Sequence, residues 1–126
     1  MSKTYKISEI SAITGFSVST LHYYEEIGLI NPARNESNYR IFTDADLTWL
    51  EFLQRAKATG MPLEKIKEFS DLRAQGDDTM IQRISLLVEQ EKISAEKIKE
   101  LEEHIRFIRG KKRHYYELLE QRNKKI

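Results

Sequence analysis

This chain of 126 residues has no cysteine. Without a thiol there are no disulfides, thiolate metal sites, cysteine nucleophiles or cysteine redox sensors. The three histidines, His22, His104 and His114, lie far apart in the sequence and lack the spacing of metal ligands. We therefore expect neither a metal site nor a cofactor.

Long apolar runs are also missing. The composition is 33% charged and 40% hydrophobic, and no stretch approaches an apolar membrane segment, which needs roughly 20 residues. The N-terminus leads directly into a polar amphipathic segment and has no apolar region of a signal peptide. These features predict a cytoplasmic protein without a membrane partner.

A large excess of positive charge is absent as well. The formal net charge is +1, and the first 60 residues carry six cations and seven anions, a net of −1. Nucleic-acid binding must then come from the placement of a few groups, not from bulk charge. No carboxylate pair, nucleophile–base arrangement or glycine-rich phosphate loop stands out, so we do not expect an enzyme.

The first periodic segment predicts a helix over residues 7–13, with isoleucines on one face. Ser8 is its expected N-cap, and Gly15 its expected end. A second helix restarts at Ser17 and ends at Gly28. Two short helices joined by a small turn that contains glycine predict a helix-turn-helix.

The next segment changes character and predicts a small hairpin, or wing. Residues 30–32 and 39–42 are short extended candidates around a turn-rich stretch at 35–38. A third helix then starts at Thr43 with an acidic first turn, and Pro62 suits the first position of a fourth helix. We expect residues 1–75 to form one winged helix-turn-helix domain.

Residues 76–126 predict a long helix and a short tail. From about Asp78 to Arg122 the sequence is helix-forming, and one heptad seam runs along it. The seam residues are Met80, Ile84, Leu87, Glu91, Ser94, Ile98, Leu101, Ile105, Ile108, Lys112, Tyr115 and Leu119. A lone helix would expose this apolar stripe, so it needs a partner. The fold class is thus all-α with a small β wing and a long dimerisation helix.

Two charged residues interrupt the seam. Glu91 lies ten residues before Leu101 and Lys112 eleven residues after it, which is nearly symmetric. A parallel dimer would place like charges together, whereas an antiparallel coiled coil brings Glu91 of one chain close to Lys112 of the other. In the alternative, the helix bends or stops at Gly110, Lys112 leaves the seam, and Glu91 reaches water.

The residues at the start of the second helix suit DNA. Small hydroxyl residues, Ser17, Ser19 and Thr20, allow close approach to bases and phosphates in a major groove. Tyr23 and Tyr24 could offer hydroxyls to phosphates. Arg40 in the wing would reach a phosphate or the minor groove. In the alternative, the tyrosines are core aromatics and Arg40 is a solvated surface charge.

The order of these motifs closely resembles the MerR family of transcriptional regulators. The motifs are Ile7-Ser8-Glu9-Ile10, Leu21-His22-Tyr23-Tyr24-Glu25-Glu26-Ile27-Gly28-Leu29, Asn38-Tyr39-Arg40 and Gly60-Met61-Pro62-Leu63-Glu64-Lys65-Ile66. They cover about the first 75 residues in order and with compatible spacing. Each motif alone would be weak, but together they are highly specific.

The resemblance implies a homodimer, joined by an antiparallel coiled coil, that binds double-stranded promoter DNA. Family members typically bind promoters whose spacer between the −35 and −10 elements is overlong, and distort the DNA so that RNA polymerase engages both elements. The polymerase is therefore an indirect partner. The family's DNA contacts map onto Ser19, Thr20, His22, Tyr23, Tyr24, Tyr39 and Arg40.

This sequence departs from the family pattern at two positions. His22 stands where Arg is usual before the aromatic pair, and we expect weaker or pH-dependent phosphate binding from it. Arg55 aligns nearest to a cysteine of the aldehyde- and electrophile-sensing branch, so a thiol trigger is excluded. The effector stays open, as does the choice between activator and repressor.

Other interpretations remain beside this one. The chain could be a coiled-coil interaction protein whose head binds another protein. Glu102, Glu103 and His104 could form a metal patch, although charge runs on long helices are usually solvated faces. Tyr115 and Tyr116 line a ligand pocket or pack the end of the coil. Trp49 is expected in the core or in a pocket wall.

Overall fold

The structure is a computed structural model, and it describes residues 3–124. The elements in chain order are β1 (Thr4–Tyr5), α1 (Ile7–Thr14), α2 (Val18–Glu26), β2 (Ala33–Arg34), β3 (Arg40–Thr43), α3 (Asp44–Ala58), α4 (Leu63–Ala74), a 3₁₀ turn (Asp77–Thr79) and α5 (Met80–Lys124). The fold class predicted from the sequence, a helical head with a small β wing followed by a long helix, is confirmed.

Helices α1 and α2 begin where side chains cap their first turns. The backbone N–H of Lys6 donates to the carboxylate of Glu9 at 3.0 Å, and α1 begins at the next residue. The prediction that Ser8 is the N-cap is wrong. The N-cap is Lys6, two residues before Ser8, and Ser8 lies inside the helix. At α2 the hydroxyl oxygen of Ser17 accepts the backbone N–H of Thr20 at 3.0 Å, so the predicted start is confirmed.

The turn between these two helices depends on glycine. Gly15 ends α1 with a φ of 81°, and its N–H donates to the carbonyl of Ser11 at 2.9 Å. A left-handed conformation of this kind favours glycine. On the apolar face of α1, Ile10 is fully buried but Ile13 is exposed. The buried face is therefore narrower than the isoleucine spacing suggests.

Strand β3 is the middle strand of a three-stranded antiparallel sheet in the order β1-β3-β2. The paired residues are Thr4 with Thr43, Tyr5 with Phe42, Ala33 with Ile41, and Arg34 with Arg40. The predicted strand at residues 30–32 is wrong. The backbone N–H groups of Leu29 and Ile30 both donate to the carbonyl of Tyr24, at 2.8 and 3.3 Å. This segment therefore caps the C-terminal end of α2 and does not form a strand.

One core joins the head. Its largest fully buried side chains come from α1, α2, β3 and α3: Ile10, Leu21, Phe42, Leu50 and Leu53. Helix α3 begins at a reciprocal cap, in which Asp46 N–H donates to the Thr43 hydroxyl at 3.2 Å and Thr43 N–H donates to the Asp46 carboxylate at 2.9 Å. Helix α4 starts at Leu63, so Pro62 is the N-cap residue, one place before its predicted position.

A short hydrogen-bonded turn leads from α4 into α5. Gly76 has a φ of 102° and a ψ of −169°, a conformation that essentially only glycine adopts. The hydroxyl of Thr79 lies 2.6 Å from the carbonyl of Leu72, and its oxygen accepts Arg83 Nε at 3.2 Å. These contacts fix the first turn of α5 beside the end of α4.

Helix α5 is 45 residues long and continues through Gly110. The alternative in which the helix stops at Gly110 is therefore wrong. The chain divides into two compact units, Met1–Leu86 and Leu87–Ile126, and the described part of the second is the remaining length of α5, up to Lys124. The predicted domain limit at residues 75 and 76 stays a prediction.

Candidate nucleic-acid interface

The start of α2 presents hydroxyl groups of different accessibility. The Ser17 hydroxyl caps the helix and also donates to the Thr20 hydroxyl at 2.9 Å. Thr20 is half-buried, whereas Ser17 and Ser19 are exposed. Within the described residues, the Ser17 hydroxyl already forms hydrogen bonds inside the protein, whereas the Ser19 hydroxyl forms none. Ser19 is therefore the hydroxyl of this set that is available to a ligand.

The two neighbouring tyrosines of α2 lie in different surroundings. Tyr23 is 47% exposed, and His22 beside it is exposed too. Tyr24 is only 4% exposed, and its ring meets the ring of Phe16 edge-on with centroids 5.4 Å apart. The ring of Tyr24 therefore belongs to the core, as the alternative interpretation held, and only its hydroxyl remains a candidate for a DNA contact.

The wing turn is built from asparagines. The backbone N–H of Asn38 donates to the carbonyl of Asn35 at 2.9 Å, and Asn38 has a φ of 66°. The side-chain oxygen of Asn35 accepts the N–H groups of Ser37 and Tyr39, both at 3.0 Å. A turn of this kind ending in a left-handed residue is a common three-residue hairpin loop. It leaves Tyr39 72% exposed beside the tip.

Glu25 joins the wing to α2. One carboxylate oxygen accepts the Nε of Arg40 at 2.5 Å, and the other accepts a terminal nitrogen of Arg34 at 3.2 Å. The guanidinium of Arg40, and next that of Arg34, lower the pKa of the Glu25 carboxyl below its ordinary value, while partial burial opposes this shift. The last turn of the second helix and both strands of the hairpin thus share one carboxylate.

This arrangement corrects the description of Arg40 as a solvated surface charge. Its side chain is 27% exposed and ion-paired. Glu25 and Arg34 are functional candidates that the sequence reasoning missed. The only sequence signal for them is their charge, because the pairing joins residues that are 9 and 15 positions apart.

Eight residues of the heptad seam are the predicted dimerisation residues, six apolar and two charged, and they lie along one stripe of α5. The apolar members, which are Ile84, Leu87, Ile98, Leu101, Ile105 and Ile108, are between 44% and 60% exposed. Glu91 and Lys112 are exposed on the same helix. Further exposed apolar residues, which the seam does not include, are Ile81, Val88, Ile93, Phe107, Tyr116 and Leu118. The uncovered apolar surface is therefore wider than the predicted seam.

The other candidate groups have plain surroundings. Tyr115 and Tyr116 are both 64% exposed on α5. Trp49 is half-buried, and its ring stacks with that of Phe52 at 5.2 Å between centroids. Within residues 3–124, no three histidine or acidic side chains lie close enough together to hold a metal ion, Glu102, Glu103 and His104 included. None of the helices in this same range combines the length and the apolar character of a membrane-spanning segment.

Comparison with protein families decides the assignment. The profile of MerR HTH family regulatory proteins matches residues 5–72, which is more than half of the chain. A second profile, described as MerR, DNA binding, matches residues 47–113. The chain belongs to the MerR family. The resemblance seen in the sequence motifs is thereby confirmed, and this MerR protein is a DNA-binding transcriptional regulator, a class that is not enzymatic.

Individual relatives agree with the family assignment. An HTH-type transcriptional regulator from Haemophilus influenzae is 41% identical over 103 residues, which cover 81% of this chain and 76% of that one. The regulator YyaN of Bacillus subtilis is 38% identical, over 93% of this chain and 94% of its own. A similar solved structure is that of HiNmlR, a MerR family regulator lacking the sensor domain, in a crystal structure bound to promoter DNA. Its sequence is 40% identical to this one and its TM-score is 0.71, over 82% of this chain and 79% of that chain.

Proposed function

We propose that this MerR protein acts as a homodimer on double-stranded promoter DNA, with α2 of each head in a major groove and the wing on the adjacent backbone. One observation carries the proposal: Glu25 ties the end of α2 to both wing strands through Arg34 and Arg40. A groove-reading helix and a backbone-contacting arm then keep a fixed spacing. The DNA-bound relative supports the same assignment.

The exposed residues divide by their proposed roles. Ser19, His22 and Tyr23 are accessible on α2 and are the proposed groove and phosphate contacts. Tyr39 and Arg40 are the proposed contacts of the wing. Ser17 and Thr20 act mainly through the helix cap, since their hydroxyls bond to each other. Tyr24 would contribute only its hydroxyl.

A groove beside the wing fits a phosphate backbone. It has a volume of about 540 Å³ and lies between the first turn of α1 and the hairpin. Its lining includes Lys6, Ser8, Asn38, Tyr39 and Arg40, together with apolar groups and Glu9, whose carboxylate accepts the backbone N–H of Lys6. Cationic, hydroxyl and amide side chains of this kind are the usual donors to phosphate oxygens. The groove supports placing the wing against the DNA backbone.

Dimerisation is proposed from the apolar stripe on α5. A long helix gains stability when its continuous apolar face is removed from water. Such a face is therefore normally covered by a partner. The six apolar residues predicted for dimerisation, which are Ile84, Leu87, Ile98, Leu101, Ile105 and Ile108, are all substantially exposed in a single chain. A second copy offers the same stripe, and a symmetric pair would cover both.

The charges along α5 support an antiparallel pair. Residues 104–116 carry five basic side chains and no acidic one. In a parallel, in-register pair these cations would face their own copies. In an antiparallel pair centred near Leu101 they would face residues 87–99, which carry three acidic and three basic side chains. Glu91 would then approach Lys112 of the partner.

The regulatory step is proposed from the family. A dimer bound across an overlong promoter spacer would bend and untwist the DNA, so that RNA polymerase engages both elements without touching this protein. Residues 1–75 would form the DNA-binding module and residues 76–126 the dimerisation helix, in the cytoplasm. The described residues give no reason to name an effector.

Salt dependence tests the proposal. Binding of the purified protein to a duplex that carries its gene's own upstream region should weaken steeply, by about a thousandfold, when salt rises from roughly 50 to roughly 200 mM. The steep slope arises because phosphate contacts release counterions. Binding that is absent, or that does not respond to salt, would contradict the proposal and favour a head that binds another protein.

A further inference from the structure

We propose that Glu25 is a positioning residue for DNA binding: its carboxylate orients the Arg40 guanidinium of the wing so that its terminal nitrogens bind a backbone phosphodiester. The inference rests on the proposed function and deepens it. Glu25 would not touch DNA itself. Its effect on binding would be exerted through Arg40.

The hairpin alone would not hold these arginines together. Arg34 and Arg40 are directly paired across the two strands, and like charges in that relationship repel. Glu25, from the last turn of α2, places one carboxylate oxygen on each of them, at 3.2 and 2.5 Å. The carboxylate therefore offsets the repulsion and gives both guanidiniums a common anchor.

The donor pattern leaves Arg40 able to bind a second anion. A guanidinium has five N–H donors, and Glu25 takes only the Nε of Arg40. Within residues 3–124, neither terminal nitrogen of Arg40 donates to another group of the protein. Arg34 is more fully used, because one terminal nitrogen donates to Glu25 and the other donates to the carbonyl of Asn38 at 3.2 Å. Arg40 is thus the arginine presented to phosphate.

The sign of a substitution distinguishes positioning from simple charge. A carboxylate on a DNA-facing surface repels the phosphate backbone, so charge alone predicts tighter binding when it is neutralised. If Glu25 orients Arg40, neutralising Glu25 leaves the arginine loosely held, and it must then lose side-chain entropy when it binds DNA. This loss of binding free energy exceeds the gain from removing the repulsion between the carboxylate and phosphate. The two accounts therefore predict opposite changes in affinity.

The experiment compares Glu25→Gln with Glu26→Gln. Glu26 follows it on the same helix and is exposed, and within residues 3–124 its side chain forms no ion pair or hydrogen bond, so it controls for the charge change. Affinity for the upstream-region duplex is measured at fixed salt, and thermal unfolding checks that each variant is folded. We expect Glu25→Gln to weaken binding by about fivefold to tenfold, and Glu26→Gln to leave it equal or tighter.

A third variant removes the group on which Glu25 is said to act. In an Arg40→Ala background, Glu25→Gln should no longer weaken binding, whereas a merely structural role of Glu25 would still show there. Tighter or unchanged binding by Glu25→Gln alone, or an equal loss in both backgrounds, would overturn the inference while leaving the proposed function intact. Wild-type protein that fails to bind the duplex would overturn both.

Discussion

The indole Nε1 of Trp49 on α3 donates a hydrogen bond of 2.9 Å to the backbone carbonyl of Leu29, twenty residues earlier. Leu29 is buried and lies three residues after the end of α2. On its faces Trp49 stacks with Phe52, and the Arg73 guanidinium lies 4.4 Å from its centroid. One side chain thus connects α3, α4 and the segment that leads from α2 into the wing.

Trp49→Phe should destabilise the head. Phenylalanine keeps an aromatic ring for stacking but cannot donate to the Leu29 carbonyl, and an unsatisfied buried acceptor costs about 1–3 kcal/mol. Urea unfolding at a fixed protein concentration measures the change. Trp49→Leu, which removes the stacking as well, should lose more. A Phe variant as stable as the parent would show that the indole hydrogen bond does not contribute.

Acid should remove the contribution of the Glu25 ion pairs to stability. Because the arginines lower its folded-state pKa, Glu25 stabilises the fold at pH values above the ordinary glutamate pKa. That stability is lost as pH falls through the lowered value, where the folded carboxylate takes up a proton. Compared with Glu25→Gln, the parent should be more stable at neutral pH and similar in strong acid. A difference that stays constant with pH would exclude this linkage.

His22→Arg should strengthen DNA binding. The exposed His22 of α2 would become a permanent cation with a forked set of donors, and we expect about a tenfold gain in affinity and one additional unit of salt slope. Titration of the upstream-region duplex at several salt concentrations measures both quantities. His104→Arg makes the same charge change on α5. An equal gain from the two variants would mean that the effect is not local to α2.

Exchanging the charges of the α5 seam tests the direction of the dimer. Glu91→Lys alone should weaken dimerisation, because it faces Lys112 of the partner in the antiparallel arrangement. Adding Lys112→Glu should recover much of the loss, with a coupling energy above about 0.5 kcal/mol. Sedimentation equilibrium of the single and double variants gives the dimer affinities. Additive losses would rule out the pairing.

The helical framework could be predicted because its signals are local. Ser17 and Thr43 cap helices through residues no more than three positions away, and Gly15 ends α1 through its own backbone conformation. Such contacts are written in short sequence windows. Even here the prediction of Ser8 as a cap was wrong. Serine is a common N-cap residue, but in this helix the carboxylate of Glu9 accepts the backbone N–H of Lys6, and the helix starts earlier.

The wing could be predicted only in outline. Strands of two residues, such as β1 and β2, are too short to show an alternating pattern. The link from Glu25 to Arg40 depends on where the hairpin folds back onto α2, which is a tertiary property. The turn itself was accessible, because asparagine tolerates the left-handed conformation found at Asn38.

The different environments of Tyr23 and Tyr24 carried a sequence signal that was not used. Leu21 and Tyr24 are three residues apart and therefore lie on the same side of α2, where both are buried. Tyr23 lies about 100° around the helix from Tyr24 and stays exposed. Helical spacing alone would have assigned one tyrosine to the core and the other to the surface.

Footprinting the purified protein on the upstream region of its own gene tests the central claim most directly. A homodimer that holds two heads on promoter DNA should protect two symmetric half-sites in successive major grooves, and should make the DNA between them unusually reactive where it is bent or untwisted. A single protected half-site, protection without distortion between the sites, or no protection at low salt would contradict the account.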